Sequence, residues 1–148
     1  MRRTLVVTAI CFCVGLAGCN AGTFSENKIA ALSSPPKTIA LGEFKGNDAG
    51  IAQLFADTVS VKLSKAGFKI TTDQNQADVI VTGTCAYKMP CFTIGINDWI
   101  LNVKTNSGSP LITEEYHHPH ATGDIFSGWK SHQEVINELS HRLVKALQ

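Results

Sequence analysis

The sequence predicts a two-layer α+β domain over residues 37–148, with elements in the order βαβ-β-β-α, a mixed sheet and two helices on one face. Three observations predict this class of α/β fold. A helical stripe lies between two strand-like segments, a β-branched run and a hairpin pattern follow, and an amphipathic helix closes the chain. With no internal repeat, a segment of this length is typical of one domain.

The βαβ unit comes first. Residues 37–46, KTIALGEFKG, alternate apolar and polar side chains and predict a strand. Asn47 and Asp48 are N-cap candidates for a helix, and Gly67 follows its last turn as a C′ residue would. The helix is predicted from apolar residues spaced three and four apart: Ile51, Leu54, Phe55, Val59, Leu63 and Ala66. Residues 68–72, FKITT, predict a short strand, and 73–76 a polar turn.

The middle of the chain predicts antiparallel strands. Residues 77–87 are β-branched and nearly continuous, which indicates a central strand buried on both faces. Residues 91–105 predict a longer strand, with Gly95 and Asn97–Asp98 as bulge or turn points. A turn at 106–110 then leads into LITEEYHH, which we expect to pair back on 99–105 as a hairpin.

The last helix is predicted over residues 131–147. Ser131 and Glu134 have the spacing of a capping box, which marks a helix start. Its apolar stripe consists of Val135, Ile136, Leu139, Leu143, Ala146 and Leu147.

The amino terminus has the three parts of a secretory signal over residues 1–18. Arg2 and Arg3 supply positive charge, an apolar stretch follows from Thr4 to Val14, and small residues lead up to Cys19. The apolar part is shorter than the about 20 residues that a membrane-spanning helix needs. We therefore expect removal of this segment rather than a permanent anchor helix.

The residues around Cys19 resemble a bacterial lipobox. In Leu16-Ala17-Gly18-Cys19 the thiolate is the nucleophile that takes up a diacylglyceryl group, after which cleavage makes Cys19 the new amino terminus. This predicts acylation, with palmitate-type chains on Cys19, and a stable membrane anchor. Asn20 is not the Asp that resembles the signal for retention in the inner membrane, so we expect the outer membrane, with the domain facing the periplasm. An ordinary cleaved signal with a coincidental cysteine is the alternative.

Residues 19–36 are predicted to be the lipidated cysteine and a flexible tether. The segment is polar, rich in small residues and ends Ser33-Ser34-Pro35-Pro36, a composition that does not support a core. A flexible chain of this length has a root-mean-square reach of about 20–25 Å.

Composition argues against nucleic acid as a partner. The formal net charge is +1 at pH 7 with 13 basic and 12 acidic residues, and loss of residues 1–18 removes Arg2 and Arg3. A nearly neutral domain lacks the clustered basic surface that nucleic-acid binding requires.

The mature chain retains Cys85 and Cys91 besides Cys19, and an oxidising periplasm predicts a disulfide between Cys85 and Cys91 across a hairpin loop. Free buried thiols are one alternative, and a redox pair or metal ligands are another, although the C-x-x-C spacing is absent.

Five segments together form a pattern: IALGEF at 39–44, AGF at 66–68, ADVIVTGT at 77–84, WILNVKT at 99–105 and Ser107-Gly108. This pattern resembles an envelope superfamily that includes the periplasmic domain of curli secretion lipoproteins, activator lipoproteins of penicillin-binding proteins and the TolB amino-terminal domain. These relatives share no catalytic residues and assemble with or bind other envelope proteins. The resemblance thus implies a non-enzymatic protein whose partner is an envelope protein or a peptidoglycan-linked component, with oligomers possible. The chain lacks the extra segments of a pore-forming curli relative.

The stretch EEYHHPHATGD is the strongest candidate for metal chemistry. His117, His118 and His120 could bind zinc, copper or nickel, with Glu115 or Asp124 completing a site. A solvated loop after a strand is the simpler interpretation. In an extended chain His118 and His120 share one face and His117 points to the other.

A short apolar island, Ile125, Phe126 and Trp129, is the candidate partner-binding surface, because Trp and Phe often anchor interfaces. Packing beneath the last helix is the alternative.

The G-x-S-x-G, H-E-x-x-H and G-x-x-x-x-G-K-[ST] motifs are absent. The sequence therefore predicts no enzyme, no catalytic residue and no cofactor beyond the lipid on Cys19. It predicts a lipid-anchored protein that binds or helps assemble another envelope component. A metal-binding lipoprotein using His117–His120 is the alternative.

Overall fold

One six-stranded sheet covered by two helices forms the domain in the computed structural model, which describes residues 22–32, 34–88, 95–118 and 129–148. The elements in chain order are β1 (Thr23–Lys28), β2 (Thr38–Gly46), α1 (Ala49–Lys65), β3 (Lys69–Thr71), β4 (Val79–Lys88), β5 (Ile96–Thr105), β6 (Pro110–His117) and α2 (His132–Leu147), with a 3-10 turn at Gln74–Gln76. The predicted α+β fold is confirmed.

The sheet is mixed, with the strand order β1-β6-β5-β4-β2-β3. The pairs β2–β3 and β2–β4 are parallel, as a βαβ crossover requires, and the other pairs are antiparallel. The predicted β5–β6 hairpin is confirmed by the opposition of Val103 and Ile112, and its turn contains Gly108 at φ +92°. Both helices contact each other and one face of the sheet, where the core lies.

Local signals at the helix ends are confirmed. Asp48 caps α1 by accepting a hydrogen bond from the Ile51 amide at 3.0 Å, and Gly67 follows the helix at φ +96°. Ser131 and Glu134 form the capping box of α2, and the hydrogen bonds from Ser131 lower the pKa of the Glu134 carboxyl. These contacts satisfy amide groups that the first turn of a helix cannot pair internally.

The prediction of a flexible tether over residues 19–36 is wrong for its central part, because β1 lies within it. Thr23–Lys28 pairs antiparallel with β6 along its whole length, from Thr23 opposite His117 to Lys28 opposite Ile112. Phe24 stacks on Tyr116 with ring centroids 4.6 Å apart, and Leu32 packs against the core. Backbone hydrogen bonds to a strand distant in sequence order this segment, although its polar composition cannot support a core of its own.

A buried ion pair connects β1, β6 and α2. The side chain of Glu114 is fully buried, and its Oε2 accepts a hydrogen bond from Nε of Arg142 at 2.8 Å. Burial raises the pKa of Glu114, Arg142 opposes that rise, and the neighbouring Glu26 carboxyl adds to it. The hydrogen bond from Lys28 lowers the pKa of Glu26. Arg142 also lies over the Phe24 ring, 5.8 Å from its centroid.

The predicted disulfide between Cys85 and Cys91 is not formed in the structure. Cys85 is a free, buried thiol in the core, opposite Trp99 in the β4–β5 ladder, whereas Cys91 lies outside the described residues. Because β4 continues to Lys88, Cys85 sits about 10 Å back from the end of the strand. Burial raises the pKa of the Cys85 thiol and the Asp48 carboxylate raises it further, and both effects favour the neutral thiol over the thiolate.

The predicted strand at 91–105 begins later than expected. β5 starts at Ile96, and Asn97 and Asp98 pair regularly with Tyr87 and Ala86 instead of forming a bulge or turn. No helix in the described segments is long and apolar enough to span a membrane.

Candidate functional site

One end of the domain collects most of the candidate residues. The register places the end of β4 beside the start of β5, and the end of β6 beside the start of β1. Both helices begin there too, since Asn47 before α1 bonds to Tyr87 and Lys130 before α2 bonds to Asn97. We call this end the aromatic end and define it by Tyr87, Trp99, His118, Trp129 and His132.

A row of rings runs from the core to the surface at the aromatic end. Phe55 of α1 meets Trp99 edge-on at 5.2 Å, and Tyr87 lies 6.1 Å from Trp99 and 6.3 Å from Trp129. Trp129 also packs on His118 at 4.9 Å. Offset and edge-to-face pairs at these separations are stabilising. Trp129 is half-buried over this row, so it belongs both to the packing and to the surface.

The predicted partner surface is therefore only partly described. Trp129 is in place at the aromatic end, whereas Ile125 and Phe126 lie outside the described residues. The interpretation of these three residues as a partner-binding surface stays a prediction.

Asn97 holds the aromatic end together. Its side chain is fully buried, its Oδ1 accepts the Trp99 indole N–H at 2.6 Å, and its Nδ2 donates to the Lys130 carbonyl at 2.8 Å. Its own carbonyl accepts from the His118 amide at 3.2 Å. Asn97 thus connects Lys130, which lies just before α2, to β5. Its hydrogen bonds also satisfy polar groups whose burial without a partner would cost free energy.

Asn47 closes the neighbouring corner. Its side-chain amide donates to the Tyr87 carbonyl at 2.8 Å, and its Oδ1 accepts from the Tyr87 amide at 2.9 Å. This two-way contact reproduces a strand pairing at the point where β2 ends, and it positions Tyr87 within the row of rings.

The histidines predicted as metal ligands are held differently from one another. His117 is exposed, and its Nδ1 lies 2.6 Å from Oδ1 of Asp98. His118 is buried against Trp129, on the other side of the strand, as the alternation predicts. His120 and Asp124 lie outside the described residues, and within those that are described no three His, Cys, Asp or Glu side chains form a cluster for a metal. The metal site stays a prediction.

A groove beside β2 is a feature that the sequence analysis missed. β3 covers only Thr38–Ala40, so the outer edge of residues 41–46 faces no strand within the described part of the chain. The groove there has a volume of about 720 Å³. Its walls are β2 and one side of α1, where small residues recur: Ala49, Ala52, Ala56 and Ser60. Two features of the sequence could have indicated this groove: the shortness of the FKITT segment and the spacing of the small residues in α1.

The comparisons with known proteins concern the fold. No family model matches the sequence, and no curated protein is similar to it at a significant level. The solved structures include a dodecamer of PelC from Paraburkholderia phytofirmans, in two crystal forms. One, a point variant, has a TM-score of 0.60 and 11% identity, with 86% of this chain and 98% of PelC covered. The other has a TM-score of 0.59 and 12% identity, with 86% and 97% covered.

A DUF4136 family protein from Bacteroides thetaiotaomicron has a TM-score of 0.49 and 9% identity, with 85% of this chain and 91% of that protein covered. The envelope superfamily to which the sequence motifs point stays a prediction. What the comparisons show is the fold: this chain has the architecture of a whole PelC subunit.

Proposed function

We propose that this chain is a non-enzymatic, lipid-anchored envelope protein whose domain assembles with copies of itself and binds other envelope components. The lipobox at Leu16–Cys19 supports the anchor. The likeness to PelC, which crystallises as a dodecamer, supports assembly. The outer membrane and the periplasmic face belong to the same proposal, because Asn20 follows Cys19.

The observation that carries the assembly function is the open edge of β2. The outer edge of residues 41–46 borders the groove without a strand partner in the described part of the chain, and such an edge is a template for another strand. Small side chains on α1 leave room for the side chains of an incoming strand. Strand pairing at an exposed edge requires no catalytic group.

A second copy can supply the strand. β1 is the last strand at the opposite side of the sheet, so its outer edge is also open within the described residues. The successive pairings make β1 antiparallel to β2, so a second copy that continues the sheet would place its β1 antiparallel along the groove. An interface that joins one surface of a subunit to a different surface of the next subunit is head-to-tail. Repetition of such an interface builds a ring when the last subunit meets the first.

Lipid attachment tests the anchor. We expect cells that express the protein to incorporate radioactive palmitate into it, and Cys19→Ser to abolish that incorporation and release the protein from membranes. The reason is that only the Cys19 thiolate can form the thioether. Uncleaved, unlabelled protein in the cytosol would contradict the proposal.

Filling the groove tests assembly. We expect the acyl-free mature domain to self-associate in sedimentation-velocity experiments, and Ala56→Arg to weaken association by about tenfold or more, equivalent to about 1.4 kcal/mol. Arginine at position 56 would occupy the space for the incoming strand and bring an unpaired charge into it. Ser64→Arg is the matched control, because position 64 is exposed on the same helix and does not line the groove. A wild-type domain that stays monomeric throughout, or equal effects of both variants, would contradict self-assembly through β2.

A further inference from the structure

We infer that the aromatic end of the domain faces the lipid bilayer and contacts its headgroup layer. This inference rests on the proposed acylation of Cys19 and adds the orientation of the domain at the membrane.

The link to the anchor is short. Thr23 pairs with His117, and Gly22 packs so closely on the Tyr116 ring that a Cβ at position 22 would overlap it. Only three residue steps separate Cys19 from Gly22, and a fully extended chain spans at most about 3.6 Å per residue. Gly22, the residue before β1, therefore lies within about 11 Å of the acylated residue, and Thr23 within about 14 Å. The reach of about 20–25 Å expected for a flexible tether does not apply to this part of the chain.

The sheet then sets which residues are near the membrane. Because Thr23 opposes His117 and His117 opposes Asp98, the start of β1 shares the aromatic end with β5 and β6. The ten residues of β5 run from this end to the turn at 106–109, a distance of about 33 Å at about 3.3 Å per residue. That turn is therefore held on the far side of the domain, away from the bilayer.

The chemistry of the aromatic end suits a headgroup layer. Tyr87 and Trp129 are half-buried aromatic side chains, and Tyr and Trp are enriched where protein meets the membrane–water interface. Lys88 is exposed, Lys130 is partly exposed, and each can attract anionic headgroups. Two of the described acidic groups at this end are engaged, since Asp98 pairs with His117 and Asp48 caps α1.

This orientation also fits assembly. β1 begins at the membrane and runs away from it, so the two open sheet edges lie along the sides of the domain rather than against the bilayer. Neighbouring copies anchored in the same leaflet can then meet edge to edge. Head-to-tail pairing would extend in the plane of the membrane.

The test compares fluorophores at the two ends of the acylated protein. Single cysteines for labelling are placed at exposed positions of the aromatic end, Thr23→Cys and Lys88→Cys, and at the far turn, Asn106→Cys and Ser107→Cys. Cys91→Ser is the background, and the buried Cys85 does not take label in the folded protein. The proteins are purified from membranes and reconstituted into vesicles of phosphatidylethanolamine and phosphatidylglycerol that contain a phospholipid with a nitroxide on its headgroup.

We expect quenching at positions 23 and 88 to be several-fold stronger than at 106 and 107. Equal quenching at the two ends, or stronger quenching at the far turn, in protein whose acylation is verified by mass spectrometry, would overturn the inference alone. Absence of acyl chains on Cys19 would overturn the proposed anchor and this inference together. Circular dichroism of each labelled variant checks that it is folded.

Discussion

Replacing Arg142 with alanine is expected to lower the free energy of unfolding by about 3–5 kcal/mol at neutral pH. Glu114 is fully buried and Arg142 donates to its carboxylate at 2.8 Å, so the variant leaves a buried charge without its partner. The variant also removes the guanidinium that lies over Phe24. Chemical denaturation followed by fluorescence measures the loss.

The loss should depend on pH in a defined direction. Burial raises the pKa of Glu114 and Arg142 opposes the rise, so Arg142→Ala raises this pKa further. A carboxyl whose pKa is higher in the folded state binds more protons folded than unfolded, and stability then falls as pH rises through the folded pKa. The destabilisation by Arg142→Ala should therefore be smaller at about pH 5 than at about pH 7.5.

Two comparisons complete this experiment. Arg142→Lys keeps the positive charge and should recover part of the lost stability. Combining Arg142→Ala with Glu114→Gln removes the buried charge and should also recover part of it. A destabilisation by Arg142→Ala that is identical at both pH values would show that the buried carboxylate is not its cause.

Replacing Phe55 with alanine is expected to cost about 3–5 kcal/mol of stability. Phe55 is fully buried in α1, and its ring meets Phe44 at 5.3 Å and Trp99 at 5.2 Å, both edge-on. The truncation leaves a cavity between α1 and the sheet and removes two aromatic contacts, each worth about 0.5–1.5 kcal/mol beyond burial. Urea denaturation of the variant and the wild type gives the difference.

The controls separate packing from helix propensity. Val61→Ala changes an exposed residue of the same helix and should alter stability by no more than about 0.5 kcal/mol. Phe55→Leu keeps most of the apolar volume and should cost less than Phe55→Ala. If the alanine and leucine variants lose equal stability, the edge-on ring contacts rather than the cavity dominate at this position.

The helices were predictable because their signals are local. The spacing of Phe55, Val59 and Leu63 shows a buried stripe without any knowledge of what covers it, and Asp48 and Ser131 mark helix starts through contacts within three residues. The β5–β6 hairpin was predictable for the same reason, since its turn and both strands are neighbours in sequence.

β1 was not predictable in the same way. Residues 23–28, TFSENK, are mostly exposed and show no alternation, and they form a strand because β6, more than 80 residues away, offers its edge. The predicted Cys85–Cys91 pairing was wrong for a related reason. The register of β4 against β5 opposes Cys85 to Trp99, and register depends on all the cross-strand contacts together.

The sequence by itself determined the α+β class, both helices with their caps, the hairpin and the lipobox expectation at Cys19, because each depends on residues close together in the chain. Only the tertiary structure decided that Asn97 fastens Lys130 to the sheet, that β1 shortens the link to Cys19, and that part of β2 keeps an open edge. These features come from contacts between segments far apart in sequence. Their energies depend on which strands become neighbours, and no local pattern contains that information.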